Sequence, residues 1–200
     1  MLTDFNFLSD IYIELYNWIV CNTPGEYRGI RHFKNYDKNV GKPIKNKIQE
    51  LEKNNKLTDL EKEFLKCKYV GSGYRVFCYD KRKKGQVYII NTYQSCSKSE
   101  QGVKNVTNLH GELVLIQLYA YEEQYAIDVF ELLCFMYKNK LINIEDCKCY
   151  DPKRLVNYEK EEEVLIPITG NTIKNIYIVN YEKNEYRELL NEKWFRKSIW

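Results

Sequence analysis

Three consecutive acids precede a short apolar segment near residue 160. Residues 158–163 read Tyr-Glu-Lys-Glu-Glu-Glu, and residues 164–167 read Val-Leu-Ile-Pro. Side chains of a strand alternate between its two faces, so the pattern predicts that Glu161 and Glu163 point the same way. Paired carboxylates are costly to bring together, and sites use them for acid/base chemistry or for stabilising a cation. The alternative is a solvated acidic turn before an edge strand.

Two further groups of polar side chains accompany predicted strands. Residues 93–99 read Tyr-Gln-Ser-Cys-Ser-Lys-Ser, which predicts a strand end carrying the hydroxyls of Ser95 and Ser97. Arg75 lies on the predicted strand that comes before them. A planar guanidinium can bind phosphate oxygens through two parallel hydrogen bonds. A strand-end serine such as Ser95 can also do no more than satisfy the backbone.

The first third of the chain has the pattern of helices. Apolar residues recur at helical spacing over residues 7–21, and a second helical face, Ile44, Ile48 and Leu51, follows Pro43. Thr58 and Glu61 form a capping box that opens a third, short helix. From Tyr69 onward, short runs rich in Val, Ile and Tyr predict strands. The predicted strands are residues 74–79, 86–92, 113–119, 164–167 and 173–180.

Helices followed by strands predict a single α+β domain over residues 1–200. A helix is also predicted at residues 126–137, between the strands, and a loop at residues 143–160. We expect two packed, mainly antiparallel sheets, with a helical lobe at residues 1–68 and a β-rich core at residues 69–200. Two hundred residues are enough to bury such a core.

Composition narrows the class of protein. Charged residues make up 30% and hydrophobic residues 44%, as is typical of a soluble globular protein. A net charge of +3 is modest and argues against a dedicated nucleic-acid binder. No apolar run approaches the ~20 residues of a membrane span, and acids interrupt the apolar stretch at the N-terminus. We therefore expect a cytoplasmic protein, in its own or a host cell; the sequence does not indicate its oligomeric state.

The seven cysteines predict reduced thiols rather than a disulfide framework. Their number is odd, and most of them lie inside apolar runs. Cys147 and Cys149 lack a second cysteine pair at zinc spacing, and the chain has two histidines. No metal site is expected.

Taken in chain order, the strand of Arg75, residues 93–99 and residues 158–167 resemble the Arg–Ser–Glu class of mono-ADP-ribosyltransferases. That class includes clostridial toxins, bacteriophage enzymes and vertebrate ecto-enzymes. The resemblance covers roughly residues 69–180, and its acidic segment is the most specific part. The chain departs from the family at Val76, where Gly is common, and at Cys96, where Thr is usual. The family's usual Ala and Phe are not evident in residues 102–108.

The resemblance implies transfer of ADP-ribose from NAD+ to a protein side chain, with release of nicotinamide. Glu163 would stabilise the charge that develops on the ribose, and Ser95 would bond the ribose and orient that carboxylate. Arg75 would hold the diphosphate. Ser97 and Tyr93 would be further NAD+-binding residues.

The resemblance also implies which residues would contact the acceptor, the protein side chain that receives ADP-ribose. Glu161 would face the acceptor, since a Glu here goes with arginine acceptors in the family. Tyr158 would lie on the substrate-recognition turn, although an ordinary loop aromatic is the alternative. The local pattern around Arg28, Tyr-Arg-Gly, matches the family better than that around Arg75, but Arg28 lies between predicted helices. In some family members a second Arg from the helical lobe contacts the diphosphate, so Arg28 and Arg31 stay candidates for diphosphate binding.

Two other functions remain open within the same resemblance. One is a non-catalytic member of the fold that binds NAD or a partner protein. The other is an NAD glycohydrolase, in which water takes the place of the protein acceptor.

Overall fold

A computed structural model describes residues 2–12, 37–78, 92–106, 110–141 and 162–188. Helices and antiparallel strands both occur in these ranges, which confirms the predicted α+β class. Within them, no helix is long and apolar enough to cross a bilayer.

Helices occur at the described segments where apolar residues recur at helical spacing in the sequence. Residues 7–12 are helical, and a short π-helix, Asp37–Gly41, leads into the next helix. The further helices are α1 (Lys42–Glu52), α2 (Asp59–Leu65), α3 (Glu100–Val106) and α4 (Val129–Lys138). The capping box of α2 is confirmed: Glu61 N–H donates to Thr58 Oγ1 (3.2 Å), and Thr58 N–H donates to the Glu61 carboxylate (2.7 Å).

Eight strands make up the described sheet. They are β1 (Lys68–Tyr69), β2 (Gly71–Cys78), β3 (Tyr93–Ser97), β4 (Leu113–Ala120), β5 (Ala126–Asp128), β6 (Glu163–Pro167), β7 (Ile173–Asn180) and β8 (Glu185–Glu188). Their spatial order is β1-β5-β6-β3-β2-β4-β7-β8, and every neighbouring pair is antiparallel.

The described strands form one sheet, not the two that the sequence analysis predicts. The reason is the pairing of Tyr74 with Ser97, which joins β2 to β3 and so connects two four-stranded halves. The halves nevertheless pack on each other, because the twist of a sheet lets it curl around a core. Residues of both halves share one buried cluster, which includes Cys96, Val164 and Ile166 from one half and Ile116, Leu118 and Ile176 from the other.

A second core lies between the helices and the half-sheet that contains β3 and β6. The rings of Phe5, Phe64 and Phe135 form its centre, with centroid separations of 5.1–5.4 Å. Tyr93 and Leu165 join this cluster from the strands. The helical lobe therefore packs against the two strands that carry Ser95, Ser97 and Glu163.

The helix predicted at residues 126–137 begins three residues later than predicted, because strand pairing holds its first residues extended. Residues 126–128 are extended because β5 pairs with β1 and with β6, so α4 begins at Val129. Asp128 caps α4 by accepting a hydrogen bond from Glu131 N–H (3.2 Å). The sequence analysis does not predict α3, β1, β5 or β8. The predicted loop at residues 143–160 lies outside the described residues, as does all of the predicted strand 86–92 except Thr92.

Tyr93, the first residue of β3, packs against the helical lobe and is held by hydrogen bonds. Its N–H donates to Asp37 Oδ1 (3.0 Å), and its hydroxyl donates to the carbonyl oxygen of Tyr125 (2.8 Å). Gly41 lies against the ring, so that a Cβ there would be 2.4 Å from Tyr93 Cγ. Because the main-chain N–H and the hydroxyl of Tyr93 are both hydrogen-bonded, its ring has little freedom to shift away from a Cβ at position 41.

We expect Gly41→Ala to destabilise the protein by about 1–3 kcal/mol, the usual cost of overpacking. Helix propensity alone predicts the opposite sign, a gain of up to about 1 kcal/mol. Urea unfolding measures the difference. Asn46→Ala, at an exposed position of α1, is the control and should be neutral or slightly stabilising. A Gly41→Ala protein as stable as the wild type would show that the Tyr93 ring can shift.

Candidate functional site

The pairing of β3 with β6 determines which predicted site residues are neighbours. Ser97 lies opposite Glu163, and Ser95 lies opposite Leu165. Ser95, Ser97 and Glu163 therefore share one face of the sheet, since strand side chains alternate with a period of two. Ser97, not Ser95, is the direct neighbour of Glu163, and Ser95 is the diagonal one. Ser97 and Glu163 are each 6% exposed.

Arg75 reaches the serine strand from β2. It follows Tyr74, the residue that pairs with Ser97, and its own partner on β4 is Ile116 of the inner core. Alternation thus starts its side chain on the inner face, opposite to the face of Ser95, Ser97 and Glu163, and Nη1 donates to the carbonyl oxygen of Ser95 in the main chain between the two faces. The structure brings Arg75 and Ser95 together through the main chain of the serine.

The Cys96 thiol shows that the charges of Arg75 and Glu163 act on the same buried region. Burial raises the pKa of Cys96 to about 12; the Arg75 guanidinium lowers this pKa, whereas the Glu163 carboxylate raises it. Arg75 and Glu163 therefore both lie close enough to Cys96 to influence the pKa of its thiol.

The chain turns immediately before Glu163. Glu162 has a φ of 50°, in the left-handed region, and β6 begins only at Glu163. Lys98 N–H donates to the carbonyl oxygen of Glu162 (2.9 Å), and Ser99 Oγ donates to its carboxylate. Strand alternation does not continue through such a residue. Glu161 lies outside the described residues, so its position on the face of Glu163 stays a prediction.

An ion pair beside the serine strand was missed by sequence reasoning. Lys98 Nζ lies 2.5 Å from Asp128 Oδ2, and the same ammonium group lies 5.7 Å from the centroid of the Tyr69 ring. The pKa of Tyr69 is raised to about 12, mainly by burial and in addition by the negative charges of Asp128 and Glu162. Lys98 could have been proposed as a site residue from the sequence, because it directly follows Ser97. Asp128 could not, because the apolar spacing predicts that it lies inside a helix.

Of the other residues predicted to form the site, one is buried in the core and the rest lie outside the described residues. Tyr93 is 3% exposed and belongs to the core between the helical lobe and the sheet. Arg28, Arg31 and Tyr158 lie outside the described residues, as do Cys147 and Cys149. The part of the chain that the structure describes contains no group of three or more His, Cys, Asp or Glu side chains that could hold a metal ion.

Three adjacent strands thus carry a guanidinium, two serine side chains and a buried carboxylate. Groups of these types can bind phosphate, orient a carboxylate and stabilise a developing cation. No family model, curated protein or solved structure matches this chain.

Replacing Asp128 should separate its two structural roles. We expect Asp128→Ala to lower the free energy of unfolding by about 2 kcal/mol, since it removes both the cap of α4 and the partner of Lys98. Asp128→Asn keeps a capping oxygen and should lose only about half as much. Thermal and urea unfolding of both variants provide the measurement. Equal losses would contradict a separate contribution from the cap.

Proposed function

We propose that this protein is a mono-ADP-ribosyltransferase that transfers ADP-ribose from NAD+ to a protein side chain, with arginine as the favoured acceptor. One observation carries the proposal: β2, β3 and β6 are adjacent in the sheet, Ser95, Ser97 and Glu163 share one face, and Arg75 contacts the main chain of Ser95. The same residue types occur in the same chain order in the family that the sequence resembles. The proposed fold is accordingly an ADP-ribosyltransferase-like α+β fold.

The proposed chemistry assigns the central role to Glu163. The bond between ribose C1′ and the nicotinamide nitrogen breaks, its electron pair leaves with neutral nicotinamide, and positive charge develops on the ribose. A carboxylate beneath the sugar stabilises that charge, and it acts more strongly in a buried site than in water. The acceptor nitrogen then attacks C1′ and loses a proton. The burial of Glu163 supports this role.

The serines and Arg75 would bind and orient NAD+. A hydroxyl beside Glu163 can bond both the ribose and the carboxylate, and the register makes Ser97 a second candidate for this role besides Ser95. The hydrogen bond to the Ser95 carbonyl fixes the Arg75 guanidinium beside the serine strand. A diphosphate that continues from a ribose bound there would lie near it. Arg28 remains the alternative or additional diphosphate ligand.

The turn at Glu162 favours a second candidate function, NAD glycohydrolase activity. The acceptor role of Glu161 comes from the family resemblance, but the strand alternation expected to place Glu161 on the face of Glu163 is interrupted by the φ of Glu162. If no protein side chain is oriented for attack, water can take its place at C1′. Both candidates require Glu163 for bond cleavage, so they differ only in the acceptor.

Glu163→Gln tests bond cleavage, which both candidates share. The amide keeps the shape and hydrogen bonding of the side chain but removes its charge. We expect nicotinamide release from NAD+ to slow by about 10²–10³-fold, corresponding to about 3–4 kcal/mol of lost electrostatic stabilisation. The affinity for NAD+, measured by calorimetry, should change little, because the diphosphate and ribose contacts remain.

Glu185→Gln is the matched control for this experiment. It makes the same change at the first residue of β8, where the side chain is exposed, and should release nicotinamide at the wild-type rate. A Glu163→Gln protein with wild-type release would exclude the proposed role of Glu163. A wild type that binds NAD+ but releases no nicotinamide would support the non-catalytic alternative.

Glu161→Gln separates transfer from hydrolysis. If the Glu161 carboxylate orients an incoming guanidinium, its loss should abolish labelling of lysate proteins with ADP-ribose while leaving NAD+ hydrolysis largely intact. The two activities are measured on the same preparation, with lysate and without it. Equal loss of both would show that Glu161 mainly supports Glu163. Brisk hydrolysis by a wild type that labels no lysate protein would establish the glycohydrolase function instead.

A further inference from the structure

Glu162 has a backbone conformation that its residue type disfavours. The non-glycine residues with positive φ in the described ranges are Tyr125, Lys140, Glu162 and Asn184. In the left-handed region the Cβ of an L-residue crowds the following carbonyl oxygen, so such residues persist only where surrounding contacts hold them. Glu162 is the one that directly precedes the proposed catalytic carboxylate.

Among the described residues, two hydrogen bonds hold Glu162, and both come from the end of β3. Lys98 N–H donates to its carbonyl oxygen (2.9 Å), which extends the β3–β6 pairing by one hydrogen bond beyond Ser97 and Glu163. Ser99 Oγ donates to its carboxylate. These contacts, which we call the Glu162 clamp, therefore use the main chain of one residue and the side chain of the next.

The clamp is anchored on its β3 side. Lys98 is fixed by its ion pair with Asp128, the buried residue that caps α4. Ser99 Oγ also accepts a hydrogen bond from Gly102 N–H (3.0 Å) in the first turn of α3. Glu162 is thus tied to two helices through the residues that immediately follow the serine motif.

We propose that Glu162 is a positioning residue that fixes the direction of the Glu163 side chain; this inference rests on the proposed function. Glu163 is the first residue of its strand, and strand ends open readily unless further contacts hold them. The clamp places a rigid turn before Glu163, which prevents this opening and keeps its side chain in line with Ser97. Catalysis needs such precision, because a carboxylate displaced by about 1 Å can lose on the order of 10²-fold in rate.

Glu162→Ala and Glu162→Gln test the clamp through the kinetics of nicotinamide release. Alanine removes the acceptor for Ser99 and stays in the disfavoured conformation, so we expect kcat to fall by about 10- to 100-fold. KM for NAD+ should stay within about twofold of wild type, because the binding residues are untouched. Glutamine keeps an oxygen that accepts from Ser99 and should retain at least about a third of the wild-type kcat.

Lys140→Ala is the matched control for strain alone. Lys140 has a φ of 53° and is exposed in the turn after α4, so this variant also places alanine in the left-handed region. Since lysine and alanine bear the same strain there, it should change the stability little and keep the wild-type kcat. A Glu162→Ala protein with the kcat of Lys140→Ala would overturn the proposal. So would a Glu162→Gln protein as slow as Glu162→Ala, since the carboxylate charge would then matter rather than the clamp.

Amide hydrogen exchange at Lys98 gives a readout that does not depend on activity. The Lys98 N–H bonds Glu162, so its protection should fall at least about tenfold in Glu162→Ala and stay near wild type in Glu162→Gln and Lys140→Ala. Unchanged protection in Glu162→Ala would overturn the clamp, whatever the enzyme does. A wild type without nicotinamide release would refute the proposed function alone, and the exchange experiment would still decide whether Glu162 fixes the start of β6.

Discussion

The pairing of Tyr74 with Ser97 joins the two halves of the sheet, and the candidate site depends on its register. Arg75 follows Tyr74, and Glu163 lies opposite Ser97, so a slip of one residue would move either side chain to the other face. One pair cannot fix a register by itself. The core shared by the two halves, which contains Cys96 and Val164 from one half and Ile116 from the other, also holds them in place. β2 is in turn paired along its whole length with β4, which carries none of the candidate site residues.

Close packing across the curled sheet explains one residue next to the site. A Cβ at Gly73 would be 2.2 Å from Ile166 Cδ1, so the end of the Ile166 side chain occupies the space that a side chain at position 73 would need. Ile166 is fully buried in the core shared by both halves. The glycine two residues before Arg75 thus leaves room for the Ile166 side chain in this core.

The sequence predicts those parts of the fold that local pattern determines. The buried face of α1, the capping box of α2 and strands β4, β6 and β7 follow from spacing within each segment. β5 does not, because residues 126–128 are extended through pairing with distant strands. In the site, the order of Arg75, the serines and Glu163 could be noted in advance. The turn at Glu162 could not, since glutamate carries no signal for positive φ, as glycine or asparagine would.

The departure from the family at Cys96 is compatible with the proposed site. A thiolate beside Arg75 would compete with Glu163 for the guanidinium and add a second negative charge to a buried region. Burial raises the pKa of Cys96 to about 12, so the thiol is neutral at physiological pH. Its Sγ lies 3.6 Å from the carbonyl oxygen of Gln94, within reach for a weak hydrogen bond, which a threonine hydroxyl could also make. With Cys96 neutral, Arg75 and Glu163 supply opposite charges to this buried region, as stabilisation of a cationic ribose beside a bound diphosphate would require.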